Sequence, residues 1–177
     1  MSRVSRRHFI GALSVAVPAL SSTRLLARST AFRALSFDHL HTGERLTIEY
    51  FSEGQYLTEA LTTINHLLRD FRTTEVHAID IGLLDLLHSL NAVVESTRPY
   101  QVISGYRSPA TNEMLRHRSE GVAAGSLHMK GQAIDVRLAD VPLVQLRNAA
   151  LSLGLGGVGF YPTSDFVHID TGRVRAW

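Results

Sequence analysis

The chain of 177 residues contains no cysteine. Disulfides, thiolate metal sites, cysteine nucleophiles and a lipid-modified cysteine anchor are therefore excluded. Residues 1–27 contain no acidic side chain but carry Arg3, Arg6, Arg7 and Arg24. Without these four arginines the formal charge falls from +2 to −2, so the basic character belongs mostly to the start of the chain. It does not signal a nucleic-acid partner. No internal repeat and no low-complexity segment is present. The apolar run Ile10–Leu20 is too short to span a bilayer comfortably and has the size of a signal h-region.

Hydrophobic residues make up 45% and charged residues 19% of the chain, which predicts one ordered domain with a single core. Ser5-Arg6-Arg7-His8-Phe9-Ile10 resembles a twin-arginine export motif. Residues 1–31 are accordingly expected to be a signal peptide, with cleavage after Ala27 or Ala31. The domain would span 32–177. Export through the twin-arginine translocase places the protein in the periplasm, with no stable membrane anchor after cleavage.

Apolar and polar residues alternate in Arg33–Leu40 and Arg45–Phe51, predicting a β-hairpin turned at His41–Glu44. His39 and His41 read as ordinary residues flanking that turn. Thr58 reads as the N-cap of a helix with apolar positions at Ala60, Leu61, Ile64, Leu67, Leu68 and Phe71. Asp80 caps a second helix, apolar nearly all round from Ile81 to Val94 and hence buried. His66, His77 and His88 read as surface or core histidines. Tyr100–Ser104 predicts a strand leaving into a turn, and Thr111–Arg118 a short helix. A loop follows at Ser119–Gly125. Ala133–Leu138 predicts a strand, and Asp140-Val141-Pro142 opens a helix to about Leu153. Gly154–Gly159 reads as a tight connection or a bulge, since a dinucleotide loop needs a strand before it and a helix after it. Phe160-Tyr161 and Phe166–Asp170 supply the last strands.

The chemistry concentrates in Ser126-Leu127-His128-Met129-Lys130-Gly131-Gln132-Ala133-Ile134-Asp135. An unbroken strand would point His128 and Asp135 to opposite faces, but Gly131 lets the chain turn between them. In Phe166–Asp170, His168 and Asp170 share a strand face. Two histidines and an aspartate suit a catalytic zinc, with a fourth position left open.

The pattern S-x-H-x-x-G-x-A-x-D, the later histidine and the upstream segment Ser104-Gly105-Tyr106-Arg107 together resemble the D-Ala-D-Ala metallopeptidase family. The hairpin, Ile64–Asp70 and Gly157–Trp177 resemble its murein endopeptidase K-like branch, so the resemblance covers roughly residues 33–177. It implies an α+β fold: a small, mostly antiparallel sheet with helices packed on its outer side and a single zinc site. Lysostaphin-type peptidases and the hedgehog domain share that fold. It implies a zinc metallopeptidase cutting peptide cross-links of peptidoglycan, with His128, Asp135 and His168 as ligands of Zn2+. Arg107, in the position of the family's arginine, is the expected oxyanion-stabilising cation or substrate clamp. For the general base, Asp165 fits the family register three residues before the last ligand, although the relatives carry a glutamate there. Asp170 fits the strand geometry and is equally a carboxylate that could orient a ligand histidine. Ser126, Tyr106, Tyr161 and Trp177 are further candidates for the site. A catalytically inactive, zinc-containing peptidoglycan-binding module is the alternative.

Overall fold

The structure, a computed structural model, describes residues 32–118 and 122–177. The expected signal segment lies outside these residues, as does part of the loop at Ser119–Gly125. In chain order the elements are β1 (Phe32–His39), β2 (Arg45–Ser52), β3 (Gln55–Tyr56), α1 (Thr58–Leu67), α2 (Ile81–Val94), β4 (Tyr100–Ser104) and α3 (Pro109–Arg118). A 3-10 turn (Leu127–Lys130), β5 (Ala133–Arg137), α4 (Leu143–Leu153), β6 (Gly157–Tyr161), β7 (Phe166–Asp170) and β8 (Arg175–Ala176) follow.

All the strands join one sheet in the order β3-β2-β1-β4-β5-β7-β6-β8. The α+β class stands, but the sheet is mixed rather than mostly antiparallel. β1 runs parallel to β4, and β6 parallel to β8. The first parallel pair arises because α1 and α2 both lie between its strands, a crossover long enough to bring the chain back in the same direction. The second arises because β7 returns on one side of β6 and the chain end then pairs on the other. β3 and β8, two residues each, carry too little alternation to be read from sequence.

Helices α1, α2 and α4 cover one face. α1 packs on β2, α2 on β1 and α4, and α4 on β6 and β7. Leu35, Phe37, Val102, Ile134, Val136, Val167 and Ile169 meet Ile64, Leu84, Leu87 and Leu146 in a continuous core. As successive strand residues point to opposite faces, Asp135, His168 and Asp170 emerge on the other side. The core thus fixes the strands whose alternate residues build the polar site.

Both ends of α1 differ from expectation, and α3 begins at Pro109, two residues before the expected Thr111. Leu57, not Thr58, is the N-cap of α1 and makes no side-chain cap bond. The helix is instead started by Leu57 itself, whose carbonyl accepts from Leu61 N–H at 3.0 Å. α1 also closes at Leu67, leaving Phe71 in the following loop. Asp80 does cap α2, accepting from Gly82 N–H at 2.9 Å. Gly157–Gly159, expected within a connection, already belong to β6.

Asp70, fully buried in that loop, accepts from Arg72 N–H at 2.9 Å and from Ser108 N–H at 2.8 Å. Burial alone would raise its pKa, but these bonds and those from the Thr111 and Ser108 hydroxyls hold it at about 2. Tyr106 N–H donates to Leu68 O at 2.8 Å. The Gly105–Ser108 segment is thereby held at both ends against the chain that leaves α1.

Candidate metal centre

His128 enters the site from the 3-10 turn, which Gly131 closes in the left-handed conformation at φ 65°. A Cβ on Gly131 would lie 2.2 Å from Ala78 O, so the turn also needs glycine's bare backbone to dock. Asp135 and His168 are register partners on adjacent antiparallel strands β5 and β7. The three side chains predicted to hold a metal are therefore brought together from a turn and two neighbouring strands. All are buried, and one donor atom from each lies within 4.8 Å of the others.

The Nδ1 of His128 lies 2.7 Å from Gly105 O. A carbonyl only accepts, so Nδ1 carries the proton and Nε2 is left with its lone pair. Likewise Nε2 of His168 lies 3.1 Å from Asp170 Oδ2, and its Nδ1 faces the site. His128 Nε2 and His168 Nδ1 are 3.2 Å apart, and they lie 3.2 and 2.8 Å from the same Asp135 Oδ1. Two imidazole lone pairs and a carboxylate turned toward one another repel unless a cation lies among them. Without a metal that cation is a proton. Burial opposes charge on His168, but bonds to Asp135 and Asp170 outweigh it and push its pKa up to about 9. Burial likewise opposes ionisation of Asp135, yet His128 and His168 hold its pKa well below the usual carboxylate range. A divalent ion bound by nitrogen and oxygen suits this donor set, and each histidine's second nitrogen is already tied down, as metal-ligating histidines require.

Around the three donors lies a cleft of about 470 Å³, lined among others by Arg107, Ser126, Tyr161, Phe166, Arg175 and Trp177. Arg107 is mostly buried, with its Nη2 3.6 Å from Asp135 Oδ2. Among the described residues its buried Nε meets no hydrogen-bond partner, a costly state for a guanidinium unless a bound group supplies an acceptor. Its backbone N–H donates to His128 O at 3.2 Å. The segment Gly105–Arg107 thus grips His128 at both its ring and its main chain. A Cβ on Gly105 would come within 2.5 Å of Leu68 O. In the sequence this glycine reads only as a place for the chain to turn, because the carbonyl that orients His128 is a main-chain group that no residue type marks.

The two candidate bases separate. Asp165 has positive φ, 55°, in the turn before β7. It pairs with Arg137, its side chain is 61% exposed, and it borders a different cleft with Gln101 and Leu143. Asp170 is completely buried beneath His168. Its Oδ1 accepts from Gly157 N–H at 3.1 Å and Gly172 N–H at 2.8 Å, and Arg175 donates to both oxygens. Although burial would raise it, these donors and His168 hold its pKa well below the usual range. Among the described residues lining the cleft, Asp135 is the sole carboxylate.

Of the remaining candidates, Ser126, Tyr161 and Trp177 line the cleft. Tyr106 instead stacks on His77 with centroids 4.8 Å apart. His39 is buried and His41 stacks on Phe71; neither reaches the metal centre. Arg175 has no signal of its own in the sequence, since it meets Asp170 only through the folded edge of the sheet.

The model of a family described as peptidoglycan L,D-endopeptidase MepK matches residues 27–177. The peptidoglycan L,D-endopeptidase MepK of Escherichia coli (strain K12) is 48% identical over 145 residues, covering 82% of this chain and 80% of that protein. The protein of the same name from Shigella flexneri matches to the same extent. The probable peptidoglycan L,D-endopeptidase MepK of Haemophilus influenzae is 41% identical over 170 residues, covering 95% of this chain and 91% of that protein.

Proposed function

The chain belongs to the peptidoglycan L,D-endopeptidase MepK family, and from that premise we propose that it is a periplasmic zinc peptidase that hydrolyses peptide cross-links of peptidoglycan. The observation that supports this reading most is the mutual approach of His128 Nε2, Asp135 Oδ1 and His168 Nδ1. Their arrangement leaves lone pairs facing a cation site inside an open cleft.

His128, Asp135 and His168 would hold the zinc, which when bound supplies a Lewis acid for activating water and polarising the scissile carbonyl. The Gly105 carbonyl and the Asp170 carboxylate keep the two imidazoles in the tautomers that present Nε2 and Nδ1 to the site. Arg107, with an unsatisfied Nε, offers its guanidinium to the carbonyl oxygen as negative charge develops there. Tyr161, Phe166 and Trp177 shape the apolar wall, against which the stems of a peptide can lie. Asp170 is assigned to orienting His168, because every position around its oxygens already faces a donor. Proton transfer through Asp165 would require its pair with Arg137 to open.

Export through the twin-arginine translocase, followed by cleavage of residues 1–31, would deliver the domain to the envelope where that substrate lies. The test is incubation of the purified protein with peptidoglycan before and after zinc removal, with fragment analysis of the products. Zinc-dependent release of cross-linked peptides supports the reading. Zinc retained without any bond cleavage would favour the inactive binding module, for which the shortage of free carboxylates in the described cleft speaks.

A further inference from the structure

We propose that Arg175 is a positioning residue for the metal centre, acting through Asp170 on His168; this rests on the metal reading above. The guanidinium meets Asp170 as a fork, Nη2 to Oδ2 at 2.7 Å and Nη1 to Oδ1 at 3.1 Å. Asp170 Oδ2 in turn accepts from His168 Nε2 at 3.1 Å. His168 Nδ1 is the atom offered to the metal. Arginine, carboxylate and imidazole thus form an unbroken chain of charge-assisted bonds from β8 to the ion site.

The backbone is built around this chain. A Cβ on Gly157 would lie 2.3 Å from Arg175 Nη1 and 2.5 Å from Asp170 Oδ2. A Cβ on Gly172 would lie 3.0 Å from Asp170 Oδ1 and 3.3 Å from Arg175 Nη1. Both glycines also send their N–H groups to Asp170 Oδ1. Two positions therefore dispense with side chains where the ion pair sits, and both add donors to it. The guanidinium is held from another side by Trp177, whose ring centroid is 4.7 Å from Cζ, and by the Arg173 carbonyl at 3.0 Å. β8 contributes only two residues to the sheet, so backbone pairing alone gives this segment little hold.

Arg175 meets both oxygens of the buried Asp170 carboxylate and so fixes its plane, which fixes the imidazole bonded to Oδ2. Removing it frees Asp170 to rotate, and His168 then loses the partner that keeps its Nδ1 aimed at the ion.

The experiment measures zinc affinity of the whole purified chain by competition with a chromogenic chelator, alongside thermal melting of the metal-free protein. Arg175→Met is expected to weaken zinc binding by about tenfold or more, the scale of losing an outer-shell partner. Arg98→Met makes the same change of charge on an exposed side chain that does not line the cleft and should leave affinity unchanged. Turnover of Arg175→Met on peptidoglycan should recover at saturating zinc. A lowered melting temperature with wild-type zinc affinity would make the arginine merely structural and overturn the proposal. Low turnover persisting at full zinc occupancy would overturn it too, assigning Arg175 to substrate instead. Should Arg175→Met not fold, Arg175→Lys keeps the charge without the fork: weaker binding supports the proposal and wild-type affinity rejects it. If the wild-type chain binds no zinc, the metal reading itself fails, a result distinct from any difference between variants.

Discussion

Two aspartates at opposite ends of the sheet are dressed in nearly the same way. Asp85, on α2, accepts from Tyr50 Oη at 2.9 Å and Tyr56 Oη at 2.7 Å and pairs with Arg33 at 2.6 Å. Arg33 in turn lies over the Phe51 ring at 4.3 Å. Asp170 pairs with Arg175, which lies over Trp177. Both carboxylates are held ionised against the effect of burial by their partners. The difference is on the remaining side. Asp85 meets two tyrosine hydroxyls, Tyr50, whose pKa is raised first by burial and then by this bond, and Tyr56, whose pKa is raised mainly by the bond itself; the Asp85 side chain keeps 30% of its exposure. Asp170 meets an imidazole whose other nitrogen points into an open cleft, and it is fully covered. An arginine–aspartate pair is thus no evidence of function by itself; what the carboxylate holds in place decides its role.

The largest expected effect separates the two ends outright. Alanine at His128, Asp135 or His168 should take zinc from about one per chain to none, since three protein ligands define the site, and peptidoglycan hydrolysis should vanish with it. Full zinc content in His168→Ala, read by elemental analysis, would remove that residue from the centre. Next in size is Arg107→Lys, which keeps the charge but loses the planar fork. Turnover should fall by roughly a hundredfold, as for loss of one oxyanion donor, while zinc content stays at the wild-type level. Normal turnover would return Arg107 to a purely structural clamp on Asp135.

The comparison is tested directly by making the same substitution at both aspartates. Asp170→Asn should weaken zinc binding about tenfold or more. Asp85→Asn should leave zinc affinity alone and lower unfolding free energy by about 1.5–3 kcal/mol, the scale of hydrogen bonds to a charged group. If both variants lose metal, the two networks are coupled and the distinction drawn above is lost. The smallest effect is expected at Asp165. Asp165→Asn breaks a largely exposed pair with Arg137, worth at most about 1 kcal/mol, and turnover should hold. A fall of about a hundredfold with zinc retained would instead identify Asp165 as the proton acceptor.

How much of this could be read in the residues depends on the range of the interaction. The hairpin, α2 with its Asp80 cap and the alternation in β5 and β7 are local patterns, and they were legible. So was the pairing of His168 with Asp170, because two residues on one strand share a face. The spacing around Gly131 alone is weak evidence for a ligand set; it was the family resemblance that singled out His128, Asp135 and His168, which the structure brings within 4.8 Å of one another. The position of Asp165 was not legible: its register matches a catalytic carboxylate, but positive φ in the turn before β7 carries its side chain to Arg137. The Gly105 carbonyl was hidden for another reason, since a main-chain acceptor has no residue type to recognise. Arg175, Gly157 and Gly172 meet Asp170 only after β6, β7 and β8 are assembled, and no local pattern encodes that meeting.

The parallel seam between β1 and β4 bears on how the molecule comes to be folded. Only Phe37–Tyr100, Asp38–Gln101 and His39–Val102 are paired across it, and both α1 and α2 lie in the chain between the partners. Closing so long a loop costs entropy before the short ladder returns any. The β1–β2 hairpin and the antiparallel run β5-β7-β6 form from much nearer neighbours. Docking of the two halves across this seam is therefore expected to limit the refolding rate, and substitutions in the β1–β4 ladder should slow refolding more than equally destabilising ones in the β1–β2 turn.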